Sequence, residues 1–338
     1  MVVRYPLQCL SDQMYWHLSV RWRGAGHILR ELRGTEMHRF GKAAFAGVLG
    51  FWTCRWAARC DDHIADSSSR STGFCHSLVV RLCDRVSPAD STENEIAAAV
   101  REEFGGVVVE RLVRSALAAL QVAESSASSC ETVASYEALV RAVHDLDQTF
   151  VVLPAKVLQK TAMLVMTCRS VICTVFGWSL VCTDDLAAAS VVLRERGITS
   201  LVDPAAGSGW HALLWSRVGL TVDARDAYEF PKRWVAVSRT PVQGSKLAND
   251  SSTGLFLSWP PHSPEDVGHQ ALEAFSGSVL VYIGESSLDS AYEASRFHAA
   301  LSKEWEAIWH RDICHWPGFN DAMWIYSRRS QEGASNGV

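Results

Sequence analysis

Several features that would assign a function directly are missing from this chain of 338 residues. Its ten cysteines form no Cys-x-x-Cys pair, which argues against a thiolate zinc site and, given their wide spread, against a disulfide framework. Neither a Gly-x-Ser-x-Gly segment nor a phosphate loop ending in Gly-Lys-Ser/Thr is present, so the common hydrolase and nucleoside-triphosphatase signatures are absent. The longest uncharged apolar stretches, 43–54 and 170–183, are shorter than the roughly 18 residues that a membrane-spanning helix needs. We therefore expect no membrane association.

A strong charge of either sign is also missing, since 32 Lys and Arg face 37 Asp and Glu for a net charge of -5. This balance argues against a protein that holds duplex nucleic acid through many phosphates. Residues 1–42 are the exception, with seven basic residues against three acids. There Trp16 and Trp22 are close in sequence to Arg21 and Arg23. This pattern is typical either of a surface for single-stranded RNA or of an ordinary solvated helix.

The N-terminus lacks the basic region, apolar block and small-residue cleavage site of a secretory signal, so a cytoplasmic protein is expected. A mitochondrial presequence is the second interpretation, because the first 30 residues contain arginine and only one acid, Asp12. The clusters Asp61-Asp62-His63 and His144–Asp147 lack further ligands at a recognisable spacing, and we expect no metal site. The tail 329–338 is rich in Ser, Gly and Asn, which predicts a disordered end.

Two regions follow from the hydrophobic pattern. Residues 1–182 contain few prolines and repeat apolar positions at three and four, which predicts an all-helical N-terminal domain and a surface for a protein partner. Within it, Thr92–Glu95 fits a capping box, and Gly105-Gly106 marks a helix break. Residues 183–328 alternate helices with short strands, which predicts an α/β domain with a mostly parallel sheet. The six predicted strands are Ile198–Val202, Leu220–Ala224, Trp234–Val237, Leu255–Ser258, Ser278–Ile283 and Ala322–Tyr326.

A glycine turn follows the first predicted strand. Val202 runs into Asp203-Pro204-Ala205-Ala206-Gly207-Ser208-Gly209, and a helical pattern resumes at Trp210. Two glycines permit a tight turn and close approach of a nucleotide to the backbone, while the helix start offers free amides. Asp226 ends the second predicted strand, where a carboxylate can accept hydrogen bonds from ribose hydroxyls. A glycine turn without any ligand is the alternative interpretation.

This turn resembles the Asp-Pro-x-x-Gly-Ser-Gly form of motif I in S-adenosylmethionine-dependent methyltransferases, especially those that act on exocyclic amino groups. The resemblance implies a Rossmann-like fold, S-adenosylmethionine as cofactor and a role for Asp203 in orienting its methionine portion. Expected cofactor contacts are Asp203, Ala205, Gly207, Gly209, Trp210, Asp226 and Ala227. Read as Gly-x-Gly-x-x-Ala, the same turn also fits a dinucleotide fingerprint, so a nicotinamide-dependent oxidoreductase stays a weaker alternative.

A second motif follows the predicted strand 255–258. Trp259-Pro260-Pro261-His262 is similar to motif IV of the same superfamily, and two prolines hold such a turn in one geometry. Together with Tyr282-Ile283-Gly284-Glu285, the turn is similar to a methyltransferase-like subgroup without an assigned activity. Expected catalytic residues are Ser258, Trp259, Pro260, Pro261, His262 and Glu285.

Trp259 departs from motif IV. The resemblance places a hydrogen-bond acceptor before the prolines, but an indole only donates, so Ser258 or the Pro260 carbonyl would have to accept. His262 has a ring that can stack or accept a proton, and Glu285 ends a strand at the ligand edge; either is also compatible with a solvated loop residue. The leading hypothesis is a methyltransferase whose acceptor is a small molecule, a protein or a single-stranded RNA. A catalytically degenerate scaffold with the same fold is the alternative.

Overall fold

A computed structural model describes residues 106–125, 129–150, 155–230, 232–243, 245–247, 250–261, 266–285 and 296–329. The basic segment 1–42, the cluster 61–63, the capping box at 92–95, His262 and the tail from 330 lie outside the described residues. All described residues belong to one compact unit. The boundary that the sequence predicts between 182 and 183 stays a prediction.

The described part of the chain begins with four long helices: α1 (Val107–Glu124), α2 (Ser129–Phe150), α3 (Ala155–Phe176) and α4 (Thr183–Glu195). Helix α1 starts directly after Gly106, where the sequence predicts that a helix resumes. Helix α4 ends at Glu195 and is followed by Gly197, whose left-handed φ of 75° directs the next amide, of Ile198, back to the Leu193 carbonyl at 2.9 Å. Among the described helices, none is long and apolar enough to cross a membrane.

The rest of the described chain alternates strands and shorter helices. In order these are β1 (Ser200–Asp203), α5 (Trp210–Arg217), β2 (Thr221–Asp226), β3 (Ser238–Arg239), β4 (Thr253–Ser258), α6 (Val267–Ala274), β5 (Val279–Glu285), α7 (Arg296–Glu304), β6 (Trp305–Asp312) and β7 (Asp321–Arg328).

The strands form one mixed sheet, mostly parallel, in the order β3-β2-β1-β4-β5-β7-β6. Strands β1 to β5 pair in parallel, whereas β7 runs antiparallel to both of its neighbours. The sequence prediction of an α/β chain with a mostly parallel sheet is confirmed at this level.

Helices cover both faces of the sheet, so successive apolar side chains along a strand point alternately into one core or the other. Leu201 and Phe256 belong to the core shared with α1 to α5, whereas Val202, Leu255 and Leu257 belong to a second core under α6 and α7. Because the first core runs without a break from α1 to the sheet, the long helices cover the sheet directly.

Two strands differ from the sequence prediction. The segment predicted as Trp234–Val237 is a loop, and pairing with β2 is limited to Ser238 and Arg239. Strand β6 was not predicted, because only Trp305 among its eight residues is buried and its charged side chains hide the alternation. Exposed charge of this kind is common on edge strands, where it discourages pairing with other chains.

Candidate functional site

The two motifs lie side by side at the carboxyl edge of the sheet. β1 and β4 are neighbours, and the chain proceeds from β1 to one side of the sheet and from β4 to the other. Open parallel sheets form a crevice at such a switch point, and ligands bind there. The glycine turn follows β1 and the Pro-Pro turn follows β4, so both open onto this crevice.

The glycine turn depends on two left-handed residues. Gly207 has a φ of 57° and Gly209 a φ of 76°, and Gly209 caps the start of α5. A Cβ on Gly209 would lie 2.6 Å from Val235 Cγ2, so the loop after β2 packs tightly against the turn. Among the described residues, a Cβ on Gly207 would meet only the Phe230 ring, at 3.6 Å. The turn is therefore closed on its Gly209 side and faces an aromatic ring on its Gly207 side.

Asp226 connects the end of β2 to the glycine turn. One of its carboxylate oxygens accepts the Gly207 amide at 2.8 Å, and the other accepts the Tyr228 amide at 2.8 Å. Burial raises the pKa of Asp226 above its ordinary value, while the amides of Tyr228, Gly207 and Ala227 oppose this rise. Two carboxylate oxygens offer about four acceptor positions, so about one remains for a ligand beside these three amides.

Asp203 lies at the end of β1 and is almost fully buried. Its Oδ1 accepts the amide of Ala205 at 3.2 Å. Burial raises the pKa of Asp203 well above its ordinary range, and the nearby Asp226 charge adds to this effect. The structure thus brings together Asp203, Ala205, Gly207, Gly209, Asp226 and Ala227 around one turn. Ser208, in the same turn, is buried and its hydroxyl has no hydrogen-bond partner among the described residues.

Trp210 does not join this group. Its indole is 1% exposed and packs against the rings of Tyr136, Phe176 and Trp234, at centroid distances of 4.8 to 4.9 Å. The cofactor contact expected from its place in the sequence therefore has no exposed surface to act through. Its role in the structure is to join α5 to the long helices.

The Pro-Pro turn has an unusual backbone at its first residue. Trp259 adopts a φ of 47°, which non-glycine residues rarely do, and its amide donates to the Ile283 carbonyl at 2.9 Å. Pro260 is buried, and the Pro261 carbonyl accepts the amide of Val267 at 2.9 Å. The turn is fixed on both sides by hydrogen bonds to β5 and α6.

A buried chain of polar side chains leads from this turn to the first motif. The Ser258 hydroxyl lies 2.9 Å from the Ser179 hydroxyl, which lies 3.0 Å from His211 Nε2 on α5. Burial lowers the pKa of His211 to about 4, so the ring is neutral at pH 7. Sequence inspection predicted a role for Ser258 but missed Ser179 and His211, because three separate segments meet here.

A second polar cluster lies behind Trp259. Asp321, at the start of β7, is buried and pairs in register with Glu285 at the end of β5. The Glu285 carboxylate accepts the amide of Asn320 at 3.2 Å. Burial raises the pKa of Asp321 to about 6, although the Trp259 indole, the Arg169 guanidinium and His315 oppose the rise.

Arg169 reaches this cluster from α3. It is 3% exposed, and its guanidinium lies over the Phe319 ring at 4.0 Å and the Trp178 ring at 4.9 Å. No local pattern in the sequence pointed to Arg169 or Asp321, because they lie on distant segments that meet only where α3 approaches the loop before β7. Comparison with known proteins finds no family model and no curated protein that matches this sequence.

Proposed function

We propose that this chain is an S-adenosylmethionine-dependent methyltransferase with a Rossmann-like catalytic domain. The observation that carries the proposal is the glycine turn after β1, held by the Asp226 carboxylate at the switch point of the sheet. A strand-turn-helix unit with an acid at the end of the next strand suits an adenosine ligand, because backbone and carboxylate can both approach it.

The strand order gives independent support. Dinucleotide-binding domains follow the parallel order 3-2-1-4-5-6. Here the antiparallel β7 lies between β5 and β6, so the sheet departs from that order. This difference favours the methyltransferase over the nicotinamide-dependent oxidoreductase.

The residues of the turn fit the cofactor. The Asp226 carboxylate retains about one acceptor position for a ribose hydroxyl, and the buried Ser208 hydroxyl has no partner among the described residues. Asp203 would hold the methionine portion, and Phe230 offers a ring beside Gly207. When bound, S-adenosylmethionine supplies a methyl group attached to a sulfonium. The protein then acts mainly by holding the acceptor in line, which the fixed Pro-Pro turn suits.

Isothermal titration with S-adenosylmethionine and its demethylated product tests the cofactor site. We expect both to bind, and Asp226→Asn to weaken binding by about tenfold through loss of a charge-assisted hydrogen bond. Asp223→Asn is the matched control, because Asp223 lies on the same strand but faces solvent. The proposal fails if the unaltered protein binds neither compound at millimolar concentration, or if folded Asp226→Asn binds as tightly as the unaltered protein.

A degenerate methyltransferase fold that serves as a scaffold is the second candidate, favoured by Trp259, whose indole cannot accept a hydrogen bond from an acceptor amine. It would bind the cofactor without turnover. Transfer of label from methyl-labelled donor to small molecules, protein or RNA, abolished by Pro261→Ala, would exclude it. Dinucleotide binding without any response to the sulfonium compound would instead support the oxidoreductase.

A further inference from the structure

A cavity of about 210 Å³ opens between α7 and the sheet, on the face that α6 and α7 cover. Tyr326 lines it and pairs with Leu280 near the start of β5 and with Ala307 in β6. The cavity therefore lies toward the amino edge of the parallel strands, whereas the glycine turn and the Pro-Pro turn lie at the carboxyl edge. The described residues that line it include none of those assigned to the cofactor.

Ring side chains form much of the cavity wall, and they belong to Tyr282, His298, Trp305 and Tyr326. The Trp305 indole stacks on Phe275 at 6.4 Å between centroids, and the Arg328 guanidinium lies 4.4 Å from its ring centroid on α7's side of the sheet. The His298 ring meets the Tyr282 ring edge-on at 5.9 Å. These contacts hold the wall in place. Because an apolar cavity of about 150 Å³ binds benzene, a ring with one small substituent fits this space.

Arg329 carries the only permanent charge among the described residues that line the cavity. Its Nε donates to the Trp305 carbonyl at 3.0 Å, while its two terminal nitrogens form no ion pair with a described residue. The neighbouring Arg328 differs, because a Glu304 carboxylate oxygen lies 3.8 Å from its Nη1. Arg329 is also exposed, so its guanidinium can reach a ligand in the cavity.

Two hydroxyl groups add neutral donors. Tyr326 is half-buried, and its hydroxyl has no hydrogen-bond partner within the described part of the chain. Burial raises the pKa of Tyr326 to about 12, so the hydroxyl keeps its proton at pH 7 and can donate to an anion. Ser302, exposed on α7, contributes the second hydroxyl. No Asp or Glu is among the described lining residues, so the cavity favours a negative ligand over a positive one.

We propose that this cavity binds a monocyclic aromatic carboxylate. The ring packs among the aromatic side chains, and the carboxylate accepts hydrogen bonds from the Arg329 guanidinium and the Tyr326 hydroxyl. Arginine suits this pairing, because its planar donors match the two oxygens of a carboxylate. A neutral amide would keep the ring contacts but lose the charge-assisted hydrogen bonds, and an ammonium would be repelled by Arg329.

Ligand-observed NMR titrations of the full chain test the assignment, with benzoate, benzamide and benzylamine as probes of similar size and different charge. We expect benzoate to bind with a Kd of about 1 mM or less, and about tenfold more tightly than the other two. Acetate, which has the carboxylate without the ring, should also bind about tenfold more weakly than benzoate. No benzoate binding below about 10 mM, or equal binding of benzamide, would overturn the assignment. No cofactor is present in these titrations, so their outcome does not depend on the proposed methyltransferase function.

Two variants at exposed positions locate the binding at this cavity. Arg329→Met should weaken benzoate binding about tenfold, because the charge-assisted hydrogen bonds are lost. Lys303→Met is the matched control, since Lys303 is an exposed cation on α7 that does not line the cavity, and it should leave the affinity unchanged. Ala307→Trp fills the cavity from β6 and should abolish binding. Both test positions are exposed, so both variants should fold, and unchanged benzoate affinity in either would contradict a site here.

Discussion

Gly209 and Gly197 share a left-handed backbone but differ in what surrounds them. A Cβ on Gly209 would meet Val235 Cγ2 at 2.6 Å, whereas a Cβ on Gly197 would meet no atom of the described residues within 4 Å. Gly197→Ala should therefore cost only the backbone strain, about 1 kcal/mol of unfolding free energy. Gly209→Ala adds overpacking and should cost about 2–4 kcal/mol. Urea unfolding measures both; equal losses would contradict the close contact between the turn and the loop after β2.

Single residues could be predicted where the motif fixes the backbone locally. The spacing of Gly207, Gly209 and Asp226 was sufficient to predict that they lie together, because a short helix connects the turn to the strand that ends at Asp226. Trp210 illustrates the limit, because sequence adjacency to the turn does not tell which way a helix is rotated. Asp321 lies on a strand far along the chain, and no local pattern connects it with the Pro-Pro turn.

At the scale of elements, the sequence predicted five of the seven described strands within a few residues of their bounds. It misplaced β3 and missed β6. The apolar run 234–237 was read as a strand, but its side chains are used to pack the glycine turn: Val235 and Val237 contact Gly209, and the Trp234 amide donates to Ser208. An apolar run indicates that a segment is buried, but it does not tell whether the segment pairs with a strand. Strand β6 was missed for the reverse reason, because an exposed edge needs little apolar content.

His211 on α5 is buried beside Ser179, and its burial makes the stability of the fold depend on pH. Burial lowers the pKa of His211 from 6.5 to about 4, so the unfolded chain binds the proton more readily than the folded one. The folded state is therefore destabilised as pH falls from about 6.5 to about 4. From these two pKa values, His211 should account for about 2 kcal/mol of lost unfolding free energy between pH 7 and 4.5.

The variant His211→Gln isolates this effect, because glutamine can still bond to Ser179 but does not titrate. We expect the difference in unfolding free energy between the unaltered protein and the variant to shrink by about 2 kcal/mol over that pH range, measured by denaturant unfolding at each pH. The raised pKa of Asp321 acts in the opposite direction in both proteins and cancels in the comparison. Parallel stability curves would show that the His211 ring is not buried in its neutral form.

Taken as a whole, the described part of the molecule has one continuous core on the side of the long helices. The Trp234 indole donates to the Val175 carbonyl at 2.8 Å, and the Lys232 ammonium donates to the Ala123 carbonyl at 2.7 Å. Both donors belong to the loop after β2, next to the proposed cofactor turn, while both acceptors belong to the helices. The long helices thus support the proposed site directly.

This connection predicts how the chain responds to cutting at the boundary suggested by the sequence. A fragment 183–338 would lose the partners of Trp210, which is 1% exposed when Tyr136 and Phe176 surround it. Exposing apolar surface of this kind costs about 25 cal/mol per Å², so several large side chains together exceed the stability of a typical domain. We expect the fragment to bind a hydrophobic dye and to show no cooperative thermal transition, whereas the fragment 106–338, which retains these contacts, melts cooperatively. A native circular dichroism spectrum and a sharp melt for 183–338 alone would instead establish an independent α/β domain.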